Sequence, residues 1–303
     1  MSRFSIAEVP PIFLDVGGTF IKCNDGREIP VDSAGSRESI CASLRTAVGK
    51  LKAGDNVAVA IPGKFDYDHG IFLMKHKFAS VYGEKFADIV LDGTGLTEDD
   101  VRFRYIHDVN CMLLGEITSG AARNKGNTAL ITLGTGLGFS MYVDGEILKN
   151  DMKSPLISIY NLPFRDGILE DYASKRGIMN GYAVRTGIDA KTLTVKEIAD
   201  RAQSGDAAAQ SVFSETGAIL GECLSPILSE HKIRCVLFGG QISRSFGLMR
   251  SSFMSALHDV PTLKSVSTVS DFDNATFNGL RSFCTSSRSV GPENPTFRES
   301  DRR

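Results

Sequence analysis

A glycine-rich turn directly after an apolar, strand-like segment occurs three times in this sequence and constrains its fold more than any other feature. The first copy, residues 15–22 (Asp-Val-Gly-Gly-Thr-Phe-Ile-Lys), follows the apolar residues 12–14. The second, residues 132–145, contains a Gly-Thr-Gly turn and closes at an Asp-Gly pair, which favours a tight hairpin. The third, residues 239–241, ends another apolar segment and opens into a helical pattern. This repetition predicts several loops that converge on one ligand.

Each of these turns has the chemistry of a phosphate site. Glycine tolerates sharp backbone angles and lets a ligand approach the main chain closely. Successive N–H groups in such a turn form a concave anion site that suits phosphate. In the first copy the hydroxyl of Thr19 adds a donor, and Asp15 stands where it could hold Mg²⁺ through water. The alternative is a hairpin whose glycines serve geometry alone; the further copies favour a nucleotide site.

Composition limits the classes of protein that fit. With 303 residues, the chain allows one large or two ordinary domains with a sizeable core. A net charge of −2 gives no electrostatic basis for binding nucleic acid. The six cysteines show no C-x-x-C spacing and mostly lie in apolar segments, which is typical of buried, reduced thiols in a cytoplasmic protein. The sequence predicts neither a signal peptide nor a membrane-spanning segment.

Strand-like and helix-like patterns alternate along the chain, as in α/β proteins. Strands are expected at residues 56–61 and 101–106. Thr-Val-Lys-Glu, beginning at Thr194, is a capping box that predicts the start of a helix. Residues 206–230 have the pattern of a long helix, bent or ended near Pro226.

The order and spacing of these motifs resemble those of the ROK family of sugar kinases, within the actin/hexokinase-like ATPases. The resemblance runs from about residue 12 to residue 283. It rests on the segments 15–19, 61–63, 107–110, 127–136, 169–174 and 239–240. It implies an α/β, two-domain actin/hexokinase-like (ribonuclease H-like) ATPase fold with a central cleft.

The resemblance also implies the domain boundaries. An N-terminal α/β domain would cover residues 1–112 and carry the first phosphate hairpin and the catalytic residue. A C-terminal α/β domain would cover residues 113–275 and carry the second phosphate turn and the adenosine turn. A helix at residues 276–283 would return to the N-terminal domain. Residues 284–303 are rich in Ser, Arg and Pro without periodicity, so we expect a disordered tail.

Asp108 is the predicted catalytic base. It lies between the strand-like residues 101–106 and the helical residues 111–122, at a strand's carboxyl end, where α/β folds gather ligands. Phosphoryl transfer from ATP to a hydroxyl requires a carboxylate that accepts the proton. The alternative is that Asp108 only caps the following helix. The resemblance favours the base, although the family usually has Asn where this chain has His107.

The resemblance implies roles for further residues. ATP would bind with Mg²⁺, and Asp15 would contact the metal through water. The phosphates and adenosine of ATP would lie against Gly17, Gly18, Thr19, Gly134, Thr135, Gly136, Gly239 and Gly240. The sugar would contact Gly63, His107, Asp108, Asn161 and Glu170.

The loop at residues 159–167 departs from the family pattern. Zinc-binding members carry a Gly-His pair and a cysteine cluster, whereas this loop contains neither cysteine nor histidine, so we expect no zinc site. Asn161 takes the place of a sugar-contacting histidine, and Ser158 that of a glutamate. Packing of residues 162–164 is expected to hold the loop instead.

The expected hairpin at residues 70–78 is a second departure. Glucose-binding members carry Asn and Trp there, whereas this chain carries His76 and Lys77 and has no tryptophan. These side chains could reach the substrate, or they could belong to an ordinary solvated basic hairpin. The same alternatives hold for Lys22, which follows the first phosphate turn.

Together these features predict an ATP-dependent, Mg²⁺-requiring, cytoplasmic sugar kinase that phosphorylates a hexose or amino-hexose, in the manner of a glucokinase at a primary hydroxyl. Its partner would be a small-molecule sugar, not nucleic acid or a membrane, and a homodimer is a possible assembly. The alternative is a non-catalytic nucleotide- and sugar-binding or sensing protein. Family repressors carry an N-terminal helix-turn-helix, and only 14 residues precede Asp15, so a DNA-binding regulator is not expected.

Overall fold

Two five-stranded sheets organise residues 10–286, which are the residues that the computed structural model describes. Two small two-stranded ribbons accompany them. In chain order the strands are β1 (Ile12–Val16), β2 (Phe20–Cys23), β3 (Glu28–Pro30), β4 (Asn56–Ile61), β5 (Phe65–Asp66), β6 (Ile71–Phe72), β7 (Arg102–His107), β8 (Thr128–Leu133), β9 (Leu137–Val143), β10 (Glu146–Ile147), β11 (Pro163–Phe164), β12 (Gly167–Ile168), β13 (Cys235–Gly239) and β14 (Ser265–Thr268).

Helices cover these sheets and connect them. The α-helices are α1 (Arg37–Val48), α2 (Phe86–Leu91), α3 (Asp108–Thr118), α4 (Leu169–Tyr172), α5 (Lys175–Thr186), α6 (Val195–Gln203), α7 (Ala207–Glu230), α8 (Arg250–Ala256) and α9 (Ala275–Ser286). Short 3₁₀ segments occur at Ala79–Val81, Ala190–Thr192 and Gln241–Leu248. Within the described residues, none of the helices combines the length and the apolarity needed to traverse a bilayer.

The two sheets have the same strand order, which is the structural counterpart of the repeated glycine turns. The first reads β3-β2-β1-β4-β7 and the second β10-β9-β8-β13-β14. In each sheet an antiparallel meander is followed by two parallel strands. The carboxyl ends of parallel strands lie at one edge of a sheet, so each sheet collects its turns at one edge.

Buried apolar strands supply the core of each sheet. The predicted strand at residues 56–61 is confirmed as β4, in which every residue after Asn56 is buried. The strand predicted at 101–106 is displaced by one residue, to Arg102–His107. Strands covered on both faces become almost continuously apolar, and β4 and β13 (Cys235–Gly239) follow that rule.

The sequence predicts two helix features, the capping box at Thr194 and the long helix that contains Pro226. The capping box is confirmed, because the Thr194 hydroxyl accepts from the Glu197 N–H at 3.2 Å while the Glu197 carboxylate accepts from the Thr194 N–H at 2.8 Å. Of the two alternatives for the long helix, a bend or an end near Pro226, the end is wrong. Helix α7 continues past Pro226 to Glu230.

The hairpin expected at residues 70–78 is also misplaced. The antiparallel pair is β5 with β6, which join Phe65 to Phe72 and Asp66 to Ile71. The chain from residue 74 to residue 78 instead forms a turn anchored at both ends, since Met74 and Phe78 are 1% and 0% exposed. Glycine at residue 70 is visible in the sequence. The preceding strand, β5, has only two residues, which are too few for a strand pattern to be recognised.

Helix α9 crosses α3 at a contact between main chains. A β-carbon on Gly279 would lie 1.9 Å from the Cys111 carbonyl oxygen, and one on Gly115 would lie 2.7 Å from the Ala275 carbonyl oxygen. On its other side, α9 buries Phe277 and Leu280 against the first sheet. The expected boundary at 112/113 falls inside α3, so the division into domains stays a prediction.

Helix α9 also differs in length from the expected helix at 276–283. It runs from Ala275 to Ser286, so the chain is helical at residues 284–286, where we expected the disordered tail to begin. The remainder of that tail lies outside the described residues.

The close contact between α3 and α9 predicts a selective loss of stability. Gly279→Ala should lower the free energy of unfolding by about 1–3 kcal/mol, because the added methyl group must push the helices apart. Gly247→Ala is the control, since no atom lies within 4 Å of its added carbon. Urea denaturation followed by circular dichroism measures both variants, and equal stability of the two would contradict the close packing.

Candidate active site

The first phosphate turn joins β1 to β2 at the carboxyl edge of the first sheet. Gly17 donates its N–H to the Phe20 carbonyl at 2.9 Å, and a β-carbon at Gly17 would lie 2.9 Å from that same oxygen. Neither Gly17 nor Gly18 has a positive φ, so lack of space, and not a left-handed backbone, accounts for glycine at residue 17. Thr19 is exposed at the tip.

The second phosphate turn joins β8 to β9 and is held from outside the hairpin. Gly134 accepts a hydrogen bond from the Lys175 N–H at the start of α5, at 3.1 Å. The Leu137 N–H donates to Glu170 Oε2 at 3.0 Å, and a β-carbon on Gly136 would lie 2.6 Å from that oxygen. Gly134 itself has open space where a β-carbon would be, so this part of the main chain is accessible to a ligand.

The third turn packs directly on the second. Gly240 has a φ of 80°, and a β-carbon there would lie 2.4 Å from the Leu133 carbonyl oxygen, so both the conformation and the space require glycine. A β-carbon on Gly239 would lie 2.7 Å from the Met112 sulfur. The structure therefore brings the second and third turns together beside α3, although their contact with a nucleotide stays a prediction.

Asp108 is the first residue of α3, and His107 is the cap. The Val109 N–H donates to Asp108 Oδ1 at 2.7 Å and approaches His107 Nδ1 at 3.3 Å. His107 Nδ1 also lies 2.9 Å from Asp108 Oδ1. Both contacts of the Asp108 carboxylate use Oδ1, and Oδ2 makes no hydrogen bond with another residue in the range 10–286. One carboxylate oxygen thus remains available to a substrate.

Asp15 and Asp108 form an acidic pair with unequal affinities for protons. Burial, and then the negative charge of Asp108, raise the pKa of Asp15 to about 6, against the opposing effects of Lys22 and of a hydrogen bond from Thr276. Burial would also raise the pKa of Asp108, but the charge and hydrogen bond of His107, the Val109 N–H and Lys77 together hold it below the ordinary aspartate value. Asp108 is therefore ionised at neutral pH.

The remaining sugar-side residues are brought only partly together. Gly63, at the carboxyl end of β4, has a φ of 77°, and the Tyr67 hydroxyl donates to the carbonyls of Ile61 and Gly63, each at 3.0 Å. Asn161 is exposed. The Glu170 N–H donates a hydrogen bond to the carbonyl of Tyr160 at 3.0 Å, and Asn161 is the next residue in the chain. Contact of these side chains with a sugar stays a prediction.

The loop at residues 159–167 is held by an arginine that sequence reasoning missed. The Arg165 guanidinium lies 5.0 Å from the centre of the Phe164 ring and 5.2 Å from that of Tyr172, and it pairs with Glu215 at 3.1 Å. Phe164 is partly buried against the core, whereas the expected anchor Pro163 is exposed. Among residues 10–286, no three Cys, His, Asp or Glu side chains are grouped as a metal site.

Sequence reasoning also missed Thr276 and Tyr67. Thr276 belongs to α9 and reaches Asp15 only because α9 packs on the first sheet. Tyr67 supports the Gly63 turn from a short ribbon, and its ring centre lies 5.9 Å from that of His107. No periodic pattern marks either residue, although a tyrosine four residues after the Gly63 turn was a usable signal.

The pair of His107 and Asp108 predicts a change in proton affinity. In His107→Asn, the Asp108 carboxyl should titrate at higher pH, because the variant loses the neighbouring charge and hydrogen bond that keep its pKa low. Carbon-13 NMR of labelled aspartate against pH, with the signal assigned by its absence in Asp108→Asn, measures this. His76→Asn, at an exposed histidine, is the control. The same titration midpoint for Asp108 in the wild type, His107→Asn and His76→Asn would refute the coupling.

Comparison with known proteins places this chain in a family. The sequence profile of the ROK family matches residues 15–151 and 164–281. A glucokinase of Halalkalibacterium halodurans is 25% identical over 271 residues, covering 77% of this chain and 80% of that protein. The alignment with CPE0188, an uncharacterised protein of Clostridium perfringens, shows 27% identity over 136 residues but spans only 45% of this chain and 46% of that protein.

A solved structure shows the same fold. The ROK family glucokinase from Streptomyces griseus, in complex with glucose and AMPPNP, superposes with a TM-score of 0.70 at 21% identity, covering 89% of this chain and 97% of that one. This similarity confirms the predicted α/β, actin/hexokinase-like fold. Because the family profile matches most of the sequence and the fold agrees with it, the chain belongs to the ROK family.

Proposed function

We propose that this chain catalyses the ATP-dependent phosphorylation of a sugar hydroxyl, with a hexose or amino-hexose as acceptor and a primary hydroxyl as the position modified. The observation that carries the proposal is the placement of the Asp108 carboxylate. It is ionised, has an uncommitted oxygen, and lies beside Asp15 at the edge where β1, β4 and β7 end. The relationship to a glucokinase supports the same reaction class.

Each part of the site has a role in this reaction. Asp108 accepts the proton of the sugar hydroxyl as its oxygen attacks the terminal phosphorus of ATP. The N–H groups of the two glycine hairpins hold the phosphates, and Gly239 and Gly240 flank the adenosine. Gly63, His107, Asn161 and Glu170 contact the sugar; they stand at the remaining loops of the same cleft.

The residues present fit a Mg²⁺ ion. Burial, and then the charge of Asp108, raise the pKa of Asp15 to about 6, so the Asp15 carboxylate near the first phosphate turn would gain from a bound cation. Mg²⁺ prefers oxygen ligands and keeps several waters, so Asp15 would hold it through water. When bound, the ion would neutralise charge on the phosphates of ATP.

A second candidate function is nucleotide and sugar binding without turnover. Two features of the residues expected to contact the sugar favour it. Asn161 is exposed, and one carboxylate oxygen of Glu170 already accepts a hydrogen bond from the Leu137 N–H of the phosphate hairpin. A sensing protein would need both ligands but no base. The expected cytoplasmic location and the homodimer stay predictions under either function.

A substrate screen separates the two functions. The wild-type protein should release ADP from Mg·ATP with at least one member of a panel of hexoses and amino-hexoses. Asp108→Asn should still bind ATP but lose about 10²–10⁴-fold in kcat on the best acceptor, because the proton acceptor is removed. Near-normal kcat in this variant would exclude Asp108 as the base, and ATP binding with no turnover on any acceptor would favour the sensing function.

The expectation that the loop at residues 159–167 binds no zinc leads to a separate prediction. Purified, tag-free protein should contain no stoichiometric zinc, and activity lost on treatment with EDTA should return fully with Mg²⁺ alone. Arg165→Ala should instead loosen the loop, since the guanidinium contacts two aromatic rings and a carboxylate. Elemental analysis and limited proteolysis measure these effects; one zinc per chain would contradict the assignment.

A further inference from the structure

The turn at residues 74–78 is fastened to the first phosphate hairpin. Phe78 has a φ of 53°, is fully buried, and donates its N–H to the Ser33 carbonyl at 2.6 Å. Ser33 in turn donates its N–H to the Gly18 carbonyl at 3.1 Å. With Met74 buried at the other end, the backbone of this turn is held at a set distance from the phosphate hairpin.

Lys77 is the residue of this turn that approaches the first phosphate hairpin. Its Cε lies 4.0 Å from the position that a β-carbon on Gly18 would occupy. Its charge also acts on Asp108, whose pKa it lowers. Lys75 and His76 are exposed, whereas Lys77 is half-buried. The end of the Lys77 side chain therefore lies near the first phosphate hairpin, and its charge reaches the proposed base.

The Lys77 ammonium is not committed to a carboxylate. Within residues 10–286 it forms no ion pair, whereas Lys22 lies 3.9 Å from Glu28 and Lys153 pairs with Asp68. Lys75, in the same turn, lies 5.6 Å from the centre of the Tyr82 ring. A half-buried cation held beside an anion-binding turn, without a partner of its own, is suited to a ligand's negative charge.

We propose that Lys77 binds the γ-phosphoryl group of ATP and stabilises it during transfer, an inference that rests on the proposed kinase function. As the sugar oxygen bonds to the γ-phosphorus, its proton passes to Asp108 and the bond between the γ-phosphorus and the bridging oxygen breaks, with ADP leaving. Lysine supplies a point charge to the transferring group. Proximity to Gly18 favours a phosphate of the nucleotide over an anionic group on the sugar.

Binding of two nucleotides tests this placement without any need for turnover. Calorimetry with Mg·AMPPNP and Mg·ADP should show that Lys77→Met weakens AMPPNP by about 10- to 100-fold, the value of a charge-assisted hydrogen bond, while ADP affinity stays unchanged. Lys77→Arg should restore part of the AMPPNP affinity. Lys75→Met, in the same turn, is the matched control and should leave both affinities unchanged.

Several outcomes would overturn the assignment. One is that Lys77→Met lowers the affinities for both nucleotides equally, or leaves their ratio unchanged. Another is that Lys75→Met has the same effect as Lys77→Met. A third is that the wild-type protein binds neither nucleotide. A rise in the KM for sugar with unchanged AMPPNP affinity would place Lys77 on the acceptor instead. If Lys77→Met loses AMPPNP selectively but the wild type phosphorylates no sugar, the kinase proposal fails while the phosphate contact stands.

Discussion

The backbone contact between α3 and α9 is the interaction on which the arrangement of this site depends. Gly115 and Gly279 have no side chains, so the two helices approach until main-chain atoms touch. Helix α3 begins with Asp108, and α9 carries Thr276, which donates a hydrogen bond to Asp15. The packing of two helices from distant parts of the chain thus brings Asp108 and Thr276 to the same acidic pair.

The neighbouring charges and hydrogen bonds stabilise the two carboxylates unequally. Asp108 has a cap histidine, a backbone N–H and a nearby ammonium to stabilise its ionised form. Burial, and then the charge of Asp108, raise the pKa of Asp15 to about 6 in spite of Lys22 and the hydrogen bond from Thr276. Asp108 is therefore ionised at neutral pH, as the proposed base must be, and the Asp15 carboxylate would be stabilised by a nearby cation.

The loop at residues 159–167 is held by ring contacts, ion pairs and backbone hydrogen bonds. Arg165 lies over two aromatic rings and pairs with Glu215, which also pairs with Arg185 of α5. Backbone bonds from Leu169 to Leu162 and from Glu170 to Tyr160 join this loop to α4. Because Glu170 also accepts a hydrogen bond from Leu137 at the second glycine turn, the loop, α4 and that turn form one connected unit.

The sequence by itself determined the local features: the glycine turns after apolar strands, strand β4, the capping box at Thr194, and Asp108 at the end of a strand. These follow from periodicity and from backbone chemistry within a few residues. Only the tertiary structure decided which groups meet, such as Lys77 with Gly18 and Glu170 with Leu137. Such pairs depend on strand order and helix crossing, which short-range patterns do not encode. The glycines illustrate the difference, since their positions were evident in the sequence, whereas the atoms that exclude a side chain at each of them belong to residues that the fold brings near.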